Sequence, residues 1–334
     1  MQQKWVVFIF IVALTFMLAL TAIYALTLVY QSRSEIQKLV EPSHANPMLY
    51  HIAVLLPESS DPFIQQLKEN IEKAVTSKSC AAEFLFFPVQ ESLNSFLTSS
   101  KAGDLFKIAI NAYVDGIIMF FNDTINVNSF AEYARLANIP FTAITLDNVP
   151  GNHTIYTVSS DSYIQGKLAI QEAVAALGNN AKIGVILPYS KKLTSTADDF
   201  LTGIHTALIE QGKGNLQAIA FEGDPKLGGE EASFSLLSNY PSINVIICST
   251  AQTSMSTAQF IIDKGLVGKV LLIGADESTE ILRLLDKGIF KALIIRDAHA
   301  IGETSVDLIM KQIQHDSASL KNISIKPLVK LQGK

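Results

Sequence analysis

The chain has 334 residues, of which 49% are apolar and 17% charged, with a formal net charge of −5. That length suits about two domains. The acidic balance and the lack of any dense Lys/Arg stretch argue against a nucleic-acid binder.

The first element is an apolar segment. Trp5 to Tyr30 is a run of 26 residues without a charge. As a helix it is roughly 39 Å long, against a hydrocarbon core of about 30 Å. Trp5 and Tyr30 at its ends suit the two interfacial belts. The apolar core of a cleaved signal peptide is only about 7–15 residues. The expectation is therefore an uncleaved transmembrane anchor over 1–31. Cleavage near Ala22 and Ala25 is the alternative. Lys4 precedes the span and Arg33 and Lys38 follow it, so flanking charge sets no orientation. Residues 32–49, closed by Pro42 and Pro47, read as a stalk and linker.

From residue 50 strands alternate with helices. The expected strands are His51–Leu56, Glu83–Val89, Gly116–Phe121, Ile139–Leu146 and Ile155–Ser159. A second set follows at Lys182–Leu187, Leu216–Phe221, Ile243–Cys248, Val270–Ile273 and Lys291–Ile295, with a short last strand near Ile323–Leu328. Helices are expected between them. Asp61-Pro62 opens the first, with a good N-cap and proline at the first helical position. Leu93–Tyr113 is a later one, and Ala298–Gln314 the last. Such alternation means parallel strands joined by right-handed crossovers. The restart near Asp161 divides them into two doubly wound sheets, so the predicted class is α/β with two lobes.

The chemistry that is missing narrows the function. There is no GxxxxGK[ST] or strand-linked GxGxxG phosphate loop, and no GxSxG elbow. Cys80 and Cys248 are too few for a disulfide framework or a cysteine-built metal site, and the six histidines form no HxxxH or HExxH pair. No cofactor and no metal are expected. The carboxylates Asp147 and Asp276 stand at strand ends, where open α/β sheets hold their ligands. Without a nucleophile or cofactor they read as hydrogen-bond acceptors for a small polar ligand. Arg296, at the end of the next strand, is delivered to the same neighbourhood as Asp276.

Six stretches in register carry a family resemblance. They are IAVLLPESSDPFIQQLKENIEKA, VDGIIMF, NIPFTAITLDN, VSSDSYIQGKLAI, IGADESTEI and KALIIRDAHAIG. From about His51 to Leu328 the chain resembles the type I periplasmic sugar-binding proteins, the ribose-binding-protein-like receptors that share their lobes with LacI-type effector domains. The resemblance implies two lobes closing on a sugar, joined by a three-strand hinge with crossings near Ser159–Asp161, Ile295–Arg296 and Asn322. The implied lobes are 50–160 plus 296–321 and 161–295 plus 322–334.

It also implies site residues. Asp147 and Asp276 fall on carboxylates that accept from ligand hydroxyls. Phe63 falls on a ring that stacks on the sugar, with a core role at the helix start as the alternative. Asp61 stands where many relatives carry Asn, and either contacts ligand or only caps its helix. The chain departs from the ribose pattern in several places. Asn148 replaces an Arg, Asp198 and Asp199 stand where another Arg is usual, Thr250 replaces an Asn, and Asp224 occupies an aromatic position. Arg296 replaces an amide. It is either a fork donor to the ligand, partnered by Asp276 or Asp198, or a hinge salt bridge to Asp297 or Asp161. Ligand contacts are thus expected from Asp61, Phe63, Asp147, Asp198, Thr250, Asp276 and Arg296.

These readings predict a membrane-anchored extracytoplasmic receptor for a monosaccharide or similar polyol, serving an ABC permease or a membrane sensor kinase. The alternative is a signal-anchored glycosyltransferase-like enzyme using a nucleotide-sugar, although no DxD motif is present. A LacI-type repressor would need a helix-turn-helix where this chain carries its apolar segment.

Overall fold

Strand β1, Tyr50–Glu58, shows why these sequences form buried parallel sheets. Side chains alternate across a strand, and here both faces are apolar. Ile52, Val54 and Leu56 enter one core while Ala53 and Leu55 enter another, all fully buried. The computed structural model describes residues 50–88, 100–122, 124–147, 149, 155–188, 195–223, 228–316 and 321–333. The expected anchor over 1–31, the linker 32–49, Asn148, Asp224 and the 93–99 part of the expected Leu93–Tyr113 helix lie outside those residues. Among the described residues, no helix is long and apolar enough to cross a membrane.

The first lobe continues with α1 (Pro62–Ser77), β2 (Cys80–Pro88), α2 (Lys101–Asn111), β3 (Gly116–Phe121), α3 (Val127–Leu136), β4 (Phe141–Thr145) and β5 (Tyr156–Ser160). The second begins with α4 (Ser162–Leu177), β6 (Lys182–Leu187), α5 (Ser195–Gln211), β7 (Asn215–Phe221), α6 (Gly228–Asn239) and β8 (Val245–Cys248). It goes on with α7 (Ala251–Asp263), β9 (Leu271–Ala275), α8 (Thr279–Asp286) and β10 (Phe290–Ile295). Then come α9 (Ala298–Ile313), β11 (Ile323–Ile325) and β12 (Leu328–Leu331).

Two six-stranded sheets result, in the orders β11-β5-β4-β3-β1-β2 and β12-β10-β9-β8-β6-β7. All pairings are parallel except that of β12 with β10. Each sheet has a core on both faces, as a doubly wound sheet must. Helix α9 follows a second-sheet strand but packs on the first core through Ile301, Val306 and Ile309. Its Asp307 meets Lys78 of the α1 C-terminus at 2.6 Å.

The stretch 322–334 was expected to lie wholly in the second lobe. The sheets divide it: β11 extends the first and β12 the second. Asn322 Oδ1 accepts from Thr157 N at 3.1 Å, which holds this part of the chain to β5, so the third crossing falls after Ile325.

Candidate functional site

In both sheets the carboxyl ends of the strands carry the polar side chains. Asp147 follows β4, Ser160 ends β5, Ser249 follows β8, Asp276 follows β9 and Arg296 follows β10. Several contacts among the described residues tie the lobes together there. Gln66 Nε2 on α1 donates to the Glu277 carbonyl at 2.8 Å, and the Thr196 hydroxyl on α5 donates to the Asn122 carbonyl at 3.4 Å. Arg296 Nη2 lies 3.6 Å from Asp61 Oδ2.

Arg296 and Asp276 form the most buried ion pair among the described residues. The ladder sets Ile294 beside Ala275, so the residues just past these strand ends stand side by side. Asp276 Oδ1 accepts from the Arg296 backbone N–H at 3.2 Å and from Nε at 2.9 Å. Its Oδ2 accepts from Nε at 3.1 Å and also from Nη2. Four such contacts fill the carboxylate's lone pairs. The Asp276 backbone adopts φ +57°, a left-handed conformation that Asp tolerates better than most residues, and its N–H donates to the Ile294 carbonyl at 3.1 Å.

Burial works against the guanidinium's charge, but Asp276, with Asp61 beyond it, raises the pKa of Arg296 above its ordinary value. The group is charged at every pH the fold survives. Its Cζ lies 4.0 Å from the centroid of the Phe63 ring, a cation–π contact on one ring face. Phe63 itself is 2% exposed and packs in the first core near Phe120.

The expected residues thus fall into separate groups. Asp61, Phe63, Asp276 and Arg296 come together, but largely on one another. Asp61 also caps α1, accepting from Phe63 N at 2.9 Å. The alternative partners considered for Arg296 have other roles. Asp297 caps α9 through Ala300 N at 2.9 Å. Asp161 caps α4 through Ile164 N at 2.9 Å and accepts from the Ser324 hydroxyl at 3.3 Å. Thr250 caps α7, accepting from Thr253 N at 3.2 Å. Asp198 is exposed in the first turn of α5 and has no hydrogen-bond or ion-pair partner among the described residues.

Asp147 is different. It is 3% exposed, and neither carboxylate oxygen has a hydrogen-bond partner among the described residues. Burial raises its pKa. The Thr196 and Ser162 hydroxyls and the Ser162 backbone N–H stand close enough to favour its ionised form, although the two hydroxyls donate to the Asn122 and Leu146 carbonyls, and Asp199 adds to the upward shift. The Ser160 hydroxyl, one position past the Thr145–Ser159 pairing, is also buried without a partner, as is that of Ser249 in the other lobe. Buried polar groups are nearly always paired. Three such groups, on Asp147, Ser160 and Ser249, have no partner among the described residues.

Ser160 and Ser249 escape a reading of the sequence because serine beside a strand end ordinarily signals a cap or turn. The positional rule that singled out Asp147 applies equally to them. A separate groove of about 430 Å³ lies between β7 and α6, lined by Ala220, Phe221, Ala232 and Leu236 among others, and holds none of the three unpartnered groups. Both cysteines are buried and free. Burial pushes the Cys248 thiol up to about 12 and that of Cys80 upward, so both are unreactive core residues.

Comparison with known proteins agrees with this architecture. The D-allose-binding periplasmic protein of Escherichia coli (strain K12) is 23% identical over 268 residues, covering 77% of this chain and 83% of that protein. An ABC transporter solute-binding protein from Burkholderia graminis C4D1M, solved in complex with D-arabinose, superposes with a TM-score of 0.74 at 16% identity. The match spans 86% of this chain and 96% of that one. A chain of a solved XylFII–LytSN complex gives a TM-score of 0.72 at 20% identity, over 86% and 99% of the two chains. The profile of the periplasmic binding protein domain family matches residues 52–317. The chain belongs to that family.

Proposed function

From that membership, we propose that the protein is an extracytoplasmic receptor that closes its two lobes on a monosaccharide or similar polyol and performs no chemistry on it. The observation that carries the reading is the unpartnered set Asp147, Ser160 and Ser249 at the strand ends of the two sheets. A polyol presents neighbouring hydroxyls, each a donor and an acceptor. An ionised carboxylate accepts such donors in strong charge-assisted bonds, and the serines complete the network. The sugar-binding relatives support the same class of ligand.

The lobes are proposed as 50–160 with α9 and β11, and 161–295 with β12. Asp147 is the primary ligand contact. Asp61 and Arg296 position the cleft from the hinge side, with the Arg296 Nη1 group left to donate to ligand. Residues 1–31 are proposed as a membrane anchor and 32–49 as a stalk. An anchored receptor is confined beside membrane partners, which suits delivery to an ABC permease or reporting to a sensor kinase. The XylFII–LytSN complex supports a protein partner for a fold of this kind.

The test is a thermal-shift screen of the purified full chain against monosaccharides, polyols and nucleotide-sugars. A ligand that binds only the folded state adds about 2.7 kcal/mol at a hundredfold excess over Kd, a shift of several degrees. At least one sugar or polyol is expected to give it. A response confined to nucleotide-sugars would sink the receptor reading in favour of an enzyme.

A further inference from the structure

We infer that the protein forms a two-fold dimer through strand β7 and the groove beside it, so that the second sheets of two copies join into one. The inference does not depend on the identity of the ligand. It starts from how the outer strands of the two sheets are protected. A strand at a sheet edge offers its open N–H and C=O groups to any other strand, and proteins blunt such edges with charge, proline or shortness. Strand β2 carries Glu83 and Pro88, β12 is four residues long and carries Lys330, and β11 has only three residues. Strand β7 is the exception. Its seven residues, NLQAIAF, hold neither a charge nor a proline.

The backbone of β7 is aimed for pairing. The Glu222 N–H donates inward to the Leu187 carbonyl of β6 at 3.0 Å, so by alternation the N–H and C=O groups of Phe221 and Ile219 point outward. The register shift of the β6–β7 ladder falls opposite Ile183 and Gly184 and leaves Ala218–Phe221 regular. Ile219 and Phe221 are 37% and 46% exposed, and the groove of about 430 Å³ runs between this stretch and Ala232, Leu236 and Tyr240. Charge selects the occupant. Lys213, two residues before β7, is exposed. Past the other end stands the exposed Glu231, whose Oε2 lies 3.5 Å from where a Cβ on Gly223 would be. An antiparallel pairing with its two-fold axis at Ile219 sets Asn215 of each copy beside Gly223 of the other, which brings Lys213 toward Glu231 twice. The uncharged middle of the strand meets no like charge. A second β7 therefore matches this edge at both ends, as a self-complementary interface requires.

The experiment is sedimentation velocity of the purified full chain at micromolar concentration, in mild detergent so that the apolar stretch from Trp5 to Tyr30 does not itself drive association. The wild-type chain is expected to sediment as a dimer. Ile219→Lys opposes two like charges across the axis and is expected to give a monomer with an unchanged melting temperature. Lys213→Glu is expected to weaken the dimer roughly tenfold, the effect of turning two attractive pairs into repulsive ones. Adding Glu231→Lys to it exchanges the two charges and is expected to restore the dimer, which a loss of folding could not do. A monomeric wild-type chain overturns the inference and leaves the edge to an unlike strand. An Ile219→Lys chain that remains dimeric, or an exchanged pair that does not restore association, overturns it as well.

Discussion

Asp147 carries a cost that the ligand-free protein bears in its own stability. Its carboxyl is raised by burial, so the native state holds the proton at a pH where the unfolded chain, with a carboxyl near about 3.9, has released it. The contribution to stability is complete below the unfolded value and is lost as pH rises through the raised native value. Asp147→Asn keeps the shape and removes the charge. It is expected to raise the ligand-free stability at neutral pH by about 1 kcal/mol, and to flatten the fall between acid and neutral pH in urea titrations. No gain at neutral pH would mean that the carboxylate is already compensated. Arg296 is the opposite case. Removing it strands the buried Asp276 charge, and Arg296→Ala should cost about 3 kcal/mol or more by urea unfolding. The double change Arg296→Gln with Asp276→Asn, which removes both charges, should cost distinctly less than Arg296→Ala alone. Equal losses would show that the site needs the guanidinium's packing on Phe63 rather than its charge. The sequence shows that Asp276 and Arg296 end adjacent strands. It does not show that they satisfy each other, because that depends on the Ile294–Ala275 register and on the φ of +57° at Asp276.

Many of the helices and strands are legible in the chain because the central strands are apolar on both faces and several helices open on a side-chain cap. Gly116–Phe121 and Lys182–Leu187 match their expected bounds, since a glycine or lysine begins each run and a polar or proline residue follows. Strand β12 is less legible. A short half-exposed segment carries no sign of whether it pairs with the first sheet or the second, or in which direction. Packing of α4 on α5 is likewise invisible in the periodicity. These helices cross so closely that a Cβ at Gly203 would lie 2.0 Å from the Tyr163 carbonyl oxygen. One at Gly166 would lie 2.1 Å from that of Phe200. Backbone cannot move aside as a side chain can. Alanine raises helix propensity by about 1 kcal/mol, but overpacking of this kind costs about 1–3 kcal/mol and more when the backbone itself must shift. Gly203→Ala should therefore lower the melting temperature of the full chain despite its better helix former. A raised melting temperature would show that the two helices can separate at little cost. Because α5 also carries Thr196 and Asp199, the same change should weaken ligand binding by displacing that side of the cleft.

At the scale of the molecule, two similar sheets are joined by three chain crossings, and the polar groups collect where the strand ends of both sheets converge. Arg296 sits at one crossing, stacks on Phe63 of the first lobe and pairs with Asp276 of the second, so it ties the two lobes together. The groups without a partner among the described residues, on Asp147, Ser160 and Ser249, are distinct from that pair, and we propose them as the centre of ligand recognition. The difference between Asp147 and Asp276 could not be read from motifs, since both carboxylates occupy equivalent strand-end positions and only their partners tell them apart. The claim that the cleft is a sugar site centred on Asp147 is tested most directly by isothermal titration of the best sugar from the screen into the full chain and into Asp147→Asn. The account predicts one site per chain and an affinity loss of about a hundredfold in the variant, the effect of removing a buried charged acceptor. An Asp147→Asn protein that binds the same sugar with unchanged affinity would contradict it.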